Sequence, residues 1–369
     1  MGTIEFDVAL INGKLIYDGK VTLPIEYDGF AKTLVTPGFA DAHAHPQVID
    51  VGEKRRYKNS YDWIKRRKLR IDEKAIREDP DISSRLAATT MLLSVFDGVT
   101  LIALTGSVQG NVLALRSIYV HPRVVLQPTI LDRKGWLSPQ EFLYVMQSFL
   151  VESRNVYVGL FLHSLGLASL DTVRTTIRIA KEKDLIMAMH LSEGVYESQT
   201  MRELATMNDF DAKSQLVVVH CFTEPSNCKK LFRGVVSCPT SNMYLYGRTI
   251  RSPSNYDALG SDWPLVTGTL RTALSQAHAV SGRRTLDVLI NATVGGYRIY
   301  GVDWAGDALI FDSDLAKVLE SPAEKPKYVF LEGREVIREG TINGSFDYRY
   351  VEKMKENVIK QAFEKYPVR

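Results

Sequence analysis

TPGFADAHAH, residues 36–45, is the stretch on which the reading of this chain turns. A Pro-Gly step ends one extended segment, and a short apolar run then leads to His43 and His45. Two histidines two apart on an extended chain share a face, so both imidazoles can point at one ion. Seven more short, β-rich runs follow: GVTLIALTG (98–106), RVVLQPTIL (123–131), VYVGLFLHS (156–164), LIMAMHLSE (185–193), QLVVVHCF (215–222), GVVSCPTSN (234–242) and DALGSDWP (257–264). Most are near-continuously apolar, as parallel strands buried on both faces must be. Between several of them lie amphipathic segments such as LDTVRTTIRIAKEKD (170–184), with apolar residues at helical spacing. Eight strands alternating with helices predict an α/β fold, a closed (β/α)8 TIM-type barrel.

The two ends read differently. DVALINGKLIYDG (7–19), ALIFD (308–312) and KYVFLEGREVIREG (327–340) alternate apolar and polar residues and contain Asn-Gly and Glu-Gly turn pairs. That is the pattern of half-buried antiparallel strands. The expected organisation is a small β-sandwich-like domain built from residues 1–36 and 306–343, a catalytic barrel over 37–305, and a tail over 344–369. Within the tail, YRYVEKMKENVIKQAFEKY (348–366) has helical period and many charges, which predicts a helix packed on the outside.

Composition bounds the function. The 46 basic and 43 acidic residues leave a formal charge of +3, too mild to imply a nucleic-acid or membrane partner. No run approaches the ~20 apolar residues that cross a bilayer. The best, MLLSVFDGVTLIAL, is broken by Asp97 and Gly98. No secretory leader is legible at the start, and the three cysteines, Cys221, Cys228 and Cys238, include no CxxC pair. Reduced thiols in a soluble cytoplasmic protein are expected. Nothing in the composition opposes a homodimer.

In a (β/α)8 barrel, chemistry is assembled at the carboxyl ends of the strands. His43 and His45 end the first run, His190 the fifth, His220 the sixth and Asp262 the eighth. One His at a strand end is commonly a hydrogen-bonded core residue, and an Asp after Gly-Ser can simply cap a helix. Five ligands or proton carriers converging from four strands point instead to a metal site. A cation held by neutral imidazoles and a carboxylate can lower the pKa of water from about 15.7 to about 7.

TPGFADAHAH, HLSE, VVVHC, SCPTSN and GSDWP, in that order, resemble the strand-end motifs of the amidohydrolase superfamily. The nearest likeness is to its cytosine deaminase-like and triazine hydrolase-like branch. It spans nearly the whole chain, including NATVGGYRIYGVDWAGDALIFD, which is similar to the family's exit from the barrel into the terminal β-domain. The resemblance implies one divalent ion, zinc or iron, on His43, His45, His190 and Asp262. It implies that His220 orients the attacking water, that Glu193 shuttles protons, and that Asp262 accepts the water's proton. It implies that His163 contacts substrate and that SCPTSN shapes the pocket beside the metal, where Ser241 or Asn242 can face substrate. Trp263, which the family pattern does not supply, stands beside the metal Asp and is expected to bind substrate as well. Binuclear members use a fourth-strand Lys, and VYVGLFLHS has none, which favours a single ion. GSDWP departs from the more usual Gly-Thr-Asp-Gly, so substrate identity carries over less well than the metal machinery.

The stretch EKRRYKNSYDWIKRRKLRIDEK, residues 53–74, carries ten Lys or Arg among Tyr57, Tyr61 and Trp63. It reads as a solvated helical excursion at the barrel mouth that can lend an Arg to an anionic substrate group, or as a surface for an anionic partner. The expected function is hydrolytic deamination of a small nitrogen heterocycle, nucleobase-like or a cyclic amidine. The alternatives are hydrolysis of a cyclic amide or a chloro- or amino-triazine, and a non-catalytic barrel that binds an anionic partner.

Overall fold

The computed structural model describes every residue except 28, 55, 150–154, 345 and 369, and in it each of the eight apolar runs forms a strand, buried on both sides except at the half-buried Val156–Val158. The barrel strands are Phe39–Ala44, Val99–Leu104, Arg123–Leu126, Val156–Leu162 (interrupted at Gly159), Met187–Leu191, Leu216–His220, Gly234–Ser237 and Ala258–Leu259. All are parallel, and the last pairs with the first through Leu259 and Asp41. The fourth strand pairs with the third through Val156–Val158 and with the fifth through Leu160–Leu162. The ring therefore closes.

Alternation sorts the strand residues into two cores. Ala40, Ala42, Leu101, Ala103, Val125, Phe161, Ala188, Val217, Val219, Val236 and Ala258 fill the barrel interior. Their neighbours Ile102, Leu104, Leu160, Leu162, Met187, Met189, Leu216, Val218 and Leu259 face the surrounding helices. Tyr297, Ile299, Tyr300 and Val302 plug the amino-terminal end of the interior, with the Tyr300 hydroxyl donating to Ala42 O at 2.8 Å. This chain segment can lie so close only because residue 295 is Gly: a Cβ there would sit 2.0 Å from Asp257 O.

The terminal strands form one eight-stranded sheet from Gly2–Ile11, Lys14–Leu23, Gly29–Pro37, Ala308–Phe311, Tyr328–Leu331, Arg334–Arg338, Thr341–Ile342 and Phe346–Asp347. Every pairing is antiparallel except that of the first strand with the third. Alternate residues serve two faces: Leu34, Leu309, Phe311 and Val329 join the core against the barrel helices, while Ile4, Phe6, Val35, Ile310 and Phe330 form their own cluster. Arg123 bolts barrel to sheet. Its guanidinium donates to both Asp307 oxygens at 3.0 Å and to Glu332 at 2.9 Å.

The helix Tyr348–Lys365 lies along the helix Pro80–Phe96, burying Val351, Val358 and Ala362. Val358 and Ala362 pack with Ile71, Ile76, Ile82 and Leu86. Lys365 and Tyr366 both donate to Asp79, at 2.6 and 2.7 Å. The tail thereby holds the segment that follows the first barrel strand. No helix among the described residues is long and apolar enough to cross a membrane.

Candidate metal centre and active-site cleft

Regular alternation from Ala40 and Ala42, which face the barrel interior, would send His43 outward. The ladder to the second strand slips between Asp41 and Ala44 instead. Such an irregularity re-aims side chains, and here it brings His43 and His45 over the barrel mouth with their ring centroids 4.6 Å apart. His190 and His163 need no such device. They follow the interior residues Ala188 and Phe161 by two positions and so continue their faces. Phe161 forms the floor, stacked at 5.2 Å from the His43 ring and edge-on to His190 at 4.8 Å.

Asp262 lies three residues past the eighth strand and is tied back to the first. Its N–H donates to His43 O at 2.9 Å, and its carbonyl accepts from His45 N–H at 2.7 Å. Asp262 and His220 have φ of 63° and 72°, and Ser192 and Cys221 are also left-handed, at 54° and 47°. Non-glycine residues in this region cost on the order of 1 kcal/mol each and concentrate where function requires an unusual direction.

The Nε2 atoms of His43, His45 and His190 form a triangle with edges of 3.0, 3.3 and 3.1 Å. Asp262 Oδ1 lies 3.5 Å from His43 Nε2 and 3.6 Å from His45 Nε2. All four side chains are buried. Burial lowers the pKa of each of the three histidines, keeping the rings neutral. Burial also opposes the Asp262 carboxylate, but the imidazoles of His43, His220 and His45 outweigh it and hold the group below the usual range. Thr105 orients one ligand: its hydroxyl donates to Ala44 O at 3.1 Å and so accepts from His45 Nδ1–H at 2.8 Å, leaving the Nε2 lone pair free. Three nitrogen lone pairs and a carboxylate oxygen with this spacing fit a tetrahedral ion, since Zn–N bonds of about 2.0–2.1 Å put ligand nitrogens roughly 3.3 Å apart. The second oxygen, Asp262 Oδ2, is buried and has no hydrogen-bond partner. The site suits one metal ion.

Around this centre opens a cleft lined by His45, His163, His190, Glu193, His220, Asp262, Trp63 and Trp263. Glu193 is 6% exposed. Burial raises its pKa, against the opposing pull of His220, Tyr246 and Ser60. The Tyr246 hydroxyl donates to Glu193 Oε1 at 2.7 Å, and His220 Nε2 lies 3.7 Å from the same oxygen. His220 Nδ1–H donates to Asn242 Oδ1 at 2.9 Å, which turns the Nε2 lone pair toward the cleft. Gly194, at φ 88°, packs against the 58–59 backbone, where a Cβ would stand 2.6 Å from Lys58 O; beside it Ser60 N–H donates to Glu193 O at 3.1 Å.

The structure brings His163 and Trp263 to the cleft as the sequence suggested. Trp263 packs against Trp63 with centroids 5.2 Å apart and ring planes tilted by 36°. Ser241 and Asn242 do not line it. Ser241 Oγ donates to Cys238 O at 3.2 Å within its own helix start, and Asn242 is spent on His220. Sequence reasoning missed Tyr246, Ser60 and Thr105. Thr105 alone carried a signal, as a polar residue just past the second strand. In the basic stretch, whose Arg55 lies outside the described residues, three arginines are engaged: Arg66 with Asp62, Arg70 with Asp50, and Arg67 bidentate with Glu73 at 3.0 and 2.8 Å. Its aromatics face inward, Tyr57 and Trp63 being buried and Tyr61 half-buried.

No protein-family model and no curated protein sequence matches the chain. Solved structures do. An adenosine deaminase from Xanthomonas campestris with bound zinc superposes with a TM-score of 0.76 at 14% identity, covering 98% of each chain. The zinc-complexed atrazine chlorohydrolase TrzN from Arthrobacter aurescens TC1 gives 0.74 at 10% identity, over 97% of this chain and 100% of the other. Guanine deaminase from E. coli gives 0.70 at 16% identity, over 92% and 100%. The resemblance expected from the strand-end motifs holds at the level of the fold.

Proposed function

We propose that this chain is a metal-dependent hydrolase that deaminates a small nitrogen heterocycle. One observation carries the reading: three imidazole nitrogens and one carboxylate oxygen converge at bonding spacing in a cleft that also presents a buried carboxyl, Glu193. The Nε2 atoms of His43, His45 and His190 with Asp262 Oδ1 would hold one divalent ion, zinc by analogy with the solved structures that share the fold. When bound, such an ion makes water a competent nucleophile near neutral pH.

The protein's own groups then divide the remaining work. The attacking water supplies two protons: Glu193 carries the first to a ring nitrogen of the substrate, and the second, taken up by Asp262, passes through Glu193 to the amino group, which leaves as ammonia. A carboxyl pushed upward by burial suits that double duty, because it changes state closer to working pH. His220, held by Asn242, offers its Nε2 lone pair as an acceptor that aligns the attacking water. Asp262, ionised by the surrounding imidazoles, accepts the water's proton. Trp263 and Trp63 supply a flat apolar wall for a ring and keep bulk water away. His163, pushed down to about 3 by burial and by Arg67, Arg133 and Arg77, is neutral and can pair with a polar ring edge. The buried thiols of Cys221, Cys228 and Cys238 suit a reducing compartment such as the cytoplasm.

The test is metal analysis followed by an ammonia-release screen of nucleobases, nucleosides, pterins and aminotriazines on metal-loaded protein. The expected result is near one equivalent of metal and ammonia from at least one ring, lost in Glu193→Gln while the metal stays. Ring opening or chloride release without ammonia would replace deamination with one of the alternative hydrolyses. Two equivalents of metal, or none, would overturn the centre itself.

A further inference from the structure

The mechanism leaves one strong donor unused. Beyond the cleft at the candidate metal centre lies an open outer lobe, which shares Ile64, Arg67, Glu73, Arg77, Trp136 and His163 with it as a common wall. The lobe's further lining adds Lys74, Arg133 and Lys134, so five cationic side chains face two carboxylates, Asp72 and Glu73. Most of the arginines in the preceding segment are paired. Arg77 is not. Its guanidinium lies flat on the Trp136 ring, 3.9 Å from the centroid, and its Nε is buried without a hydrogen-bond partner. Neighbouring Arg67 is spent on both oxygens of Glu73, and Glu78 and Asp72 act on Arg77 only through their charge, with no hydrogen bond between either carboxylate and its guanidinium.

A buried guanidinium N–H without an acceptor is unfavourable, and a planar fork held against an aromatic face is pre-set for a carboxylate or phosphate. The backbone beneath it is fixed from both sides. Ile76 packs on Val358 and Ala362 of the terminal helix, and Arg77 O accepts from Ser107 Oγ at 3.0 Å. Arg77 is thus a placed group on the path from the outer lobe to the metal ligands.

We propose that the substrate of this site bears an oxyanion, carboxylate or phosphate, on an arm attached to the ring that reaches the metal centre, and that Arg77 binds that oxyanion with Arg133 and Lys134 drawing it in. The inference rests on the hydrolase reading, and it names the substrate class within it.

The test pairs neutral and charged forms of one ring: adenosine with adenosine 5′-carboxylate and adenosine 5′-phosphate, and pterin with pterin-6-carboxylate. Binding to metal-loaded protein is measured by calorimetry, and ammonia release separately. The wild type should favour the charged member of at least one pair by roughly 10- to 100-fold, the range of a charge-assisted bidentate contact. Arg77→Met should erase most of that preference, and Arg77→Lys should retain part of it. Preference for the 5′-carboxylate over the 5′-phosphate, or the reverse, identifies the oxyanion. If Arg77→Met fails to fold, Arg133→Met, whose side chain borders the open lobe, should still narrow the preference and flatten its salt dependence. No preference for charged members in the wild type, or one that survives Arg77→Met, overturns the proposal. Charged preference in binding with no ammonia from any ring keeps the arm and sinks the deaminase reading instead.

Discussion

The hydrogen bond from Tyr246 to Glu193 gives a quantitative hold on the group proposed to carry the proton. In Tyr246→Phe the 2.7 Å bond to Glu193 Oε1 is lost with little change of shape. That bond favours the ionised carboxylate, so its removal raises a pKa that burial has already raised. A hydrogen bond to a charged group is worth about 1.5–3 kcal/mol, and a pKa unit about 1.36 kcal/mol, which gives a shift of about 1–2 units. Ser60 remains as a second donor to the same carboxyl, which favours the lower end, about one unit. In the free enzyme Glu193 must be ionised to take up a proton, so its pKa sets the acid limb of kcat/KM. The limb should therefore move to higher pH by about one unit, with the plateau above it reduced far less than at pH values below it. The assay is a pH profile of kcat/KM for wild type, Tyr246→Phe and Ser60→Ala. Infrared titration of the carboxyl band, with Glu193→Gln to assign it, reads the same shift without a substrate. A limb that stays in place, or moves to lower pH, would refute the assignment of Glu193 as the group that must start ionised.

Other consequences can be checked on purified protein. Thr105→Val deprives His45 Nδ1–H of its acceptor and should weaken metal binding roughly 10- to 100-fold in a chelator competition; an unchanged affinity would show that Thr105 does not orient the ligand. Asn242→Leu frees His220 Nδ1 and should lower kcat at least tenfold, by order of magnitude, while metal content stays at the wild-type level; parallel loss of metal would make Asn242 a support of the ligand shell instead. Arg123→Met leaves Asp307 buried without its bidentate partner and should cost about 3–5 kcal/mol in urea unfolding; a loss below about 1 kcal/mol would show that the junction of barrel and sheet does not depend on it. Loading with zinc at a hundredfold excess over its dissociation constant should stabilise the protein by about 2.7 kcal/mol, and His190→Ala should abolish that increment; a melting temperature that ignores the metal would contradict a site built in the folded state.

The barrel was legible because two-sided burial leaves an unmistakable composition: eight apolar runs gave eight strands, and the polar residues that end them gave His43, His45, His190, His220 and Asp262. The same rule explains the gaps. His43 faces inward only because the ladder slips before Ala44, and a slip has no compositional mark. Tyr246 reaches Glu193 across 53 positions of sequence, and its own helix shows no apolar stripe that singles it out. Ser241 and Asn242 were expected in the pocket because their motif follows a strand, but helix Pro239–Tyr246 begins at once and turns them into its own first turn. The basic stretch drew attention by density of charge, whereas the unpaired guanidinium, Arg77, lies three residues beyond it. Its distinction is what surrounds it in space.

Gly194 has a consequence for how such a protein can diversify. Because no side chain fits between it and Lys58, Glu193 and the wall of Trp63 and Ile64 are seated on one another and inherit each other's displacements. A lineage that acquires a new substrate by reshaping the start of helix Ser60–Arg66 would, on the proposed mechanism, disturb acid–base chemistry in the same step. Variation in specificity should therefore accumulate on the opposite bank of the cleft, around Trp136 and Arg133, where no described backbone hydrogen bond ties the chain to Glu193.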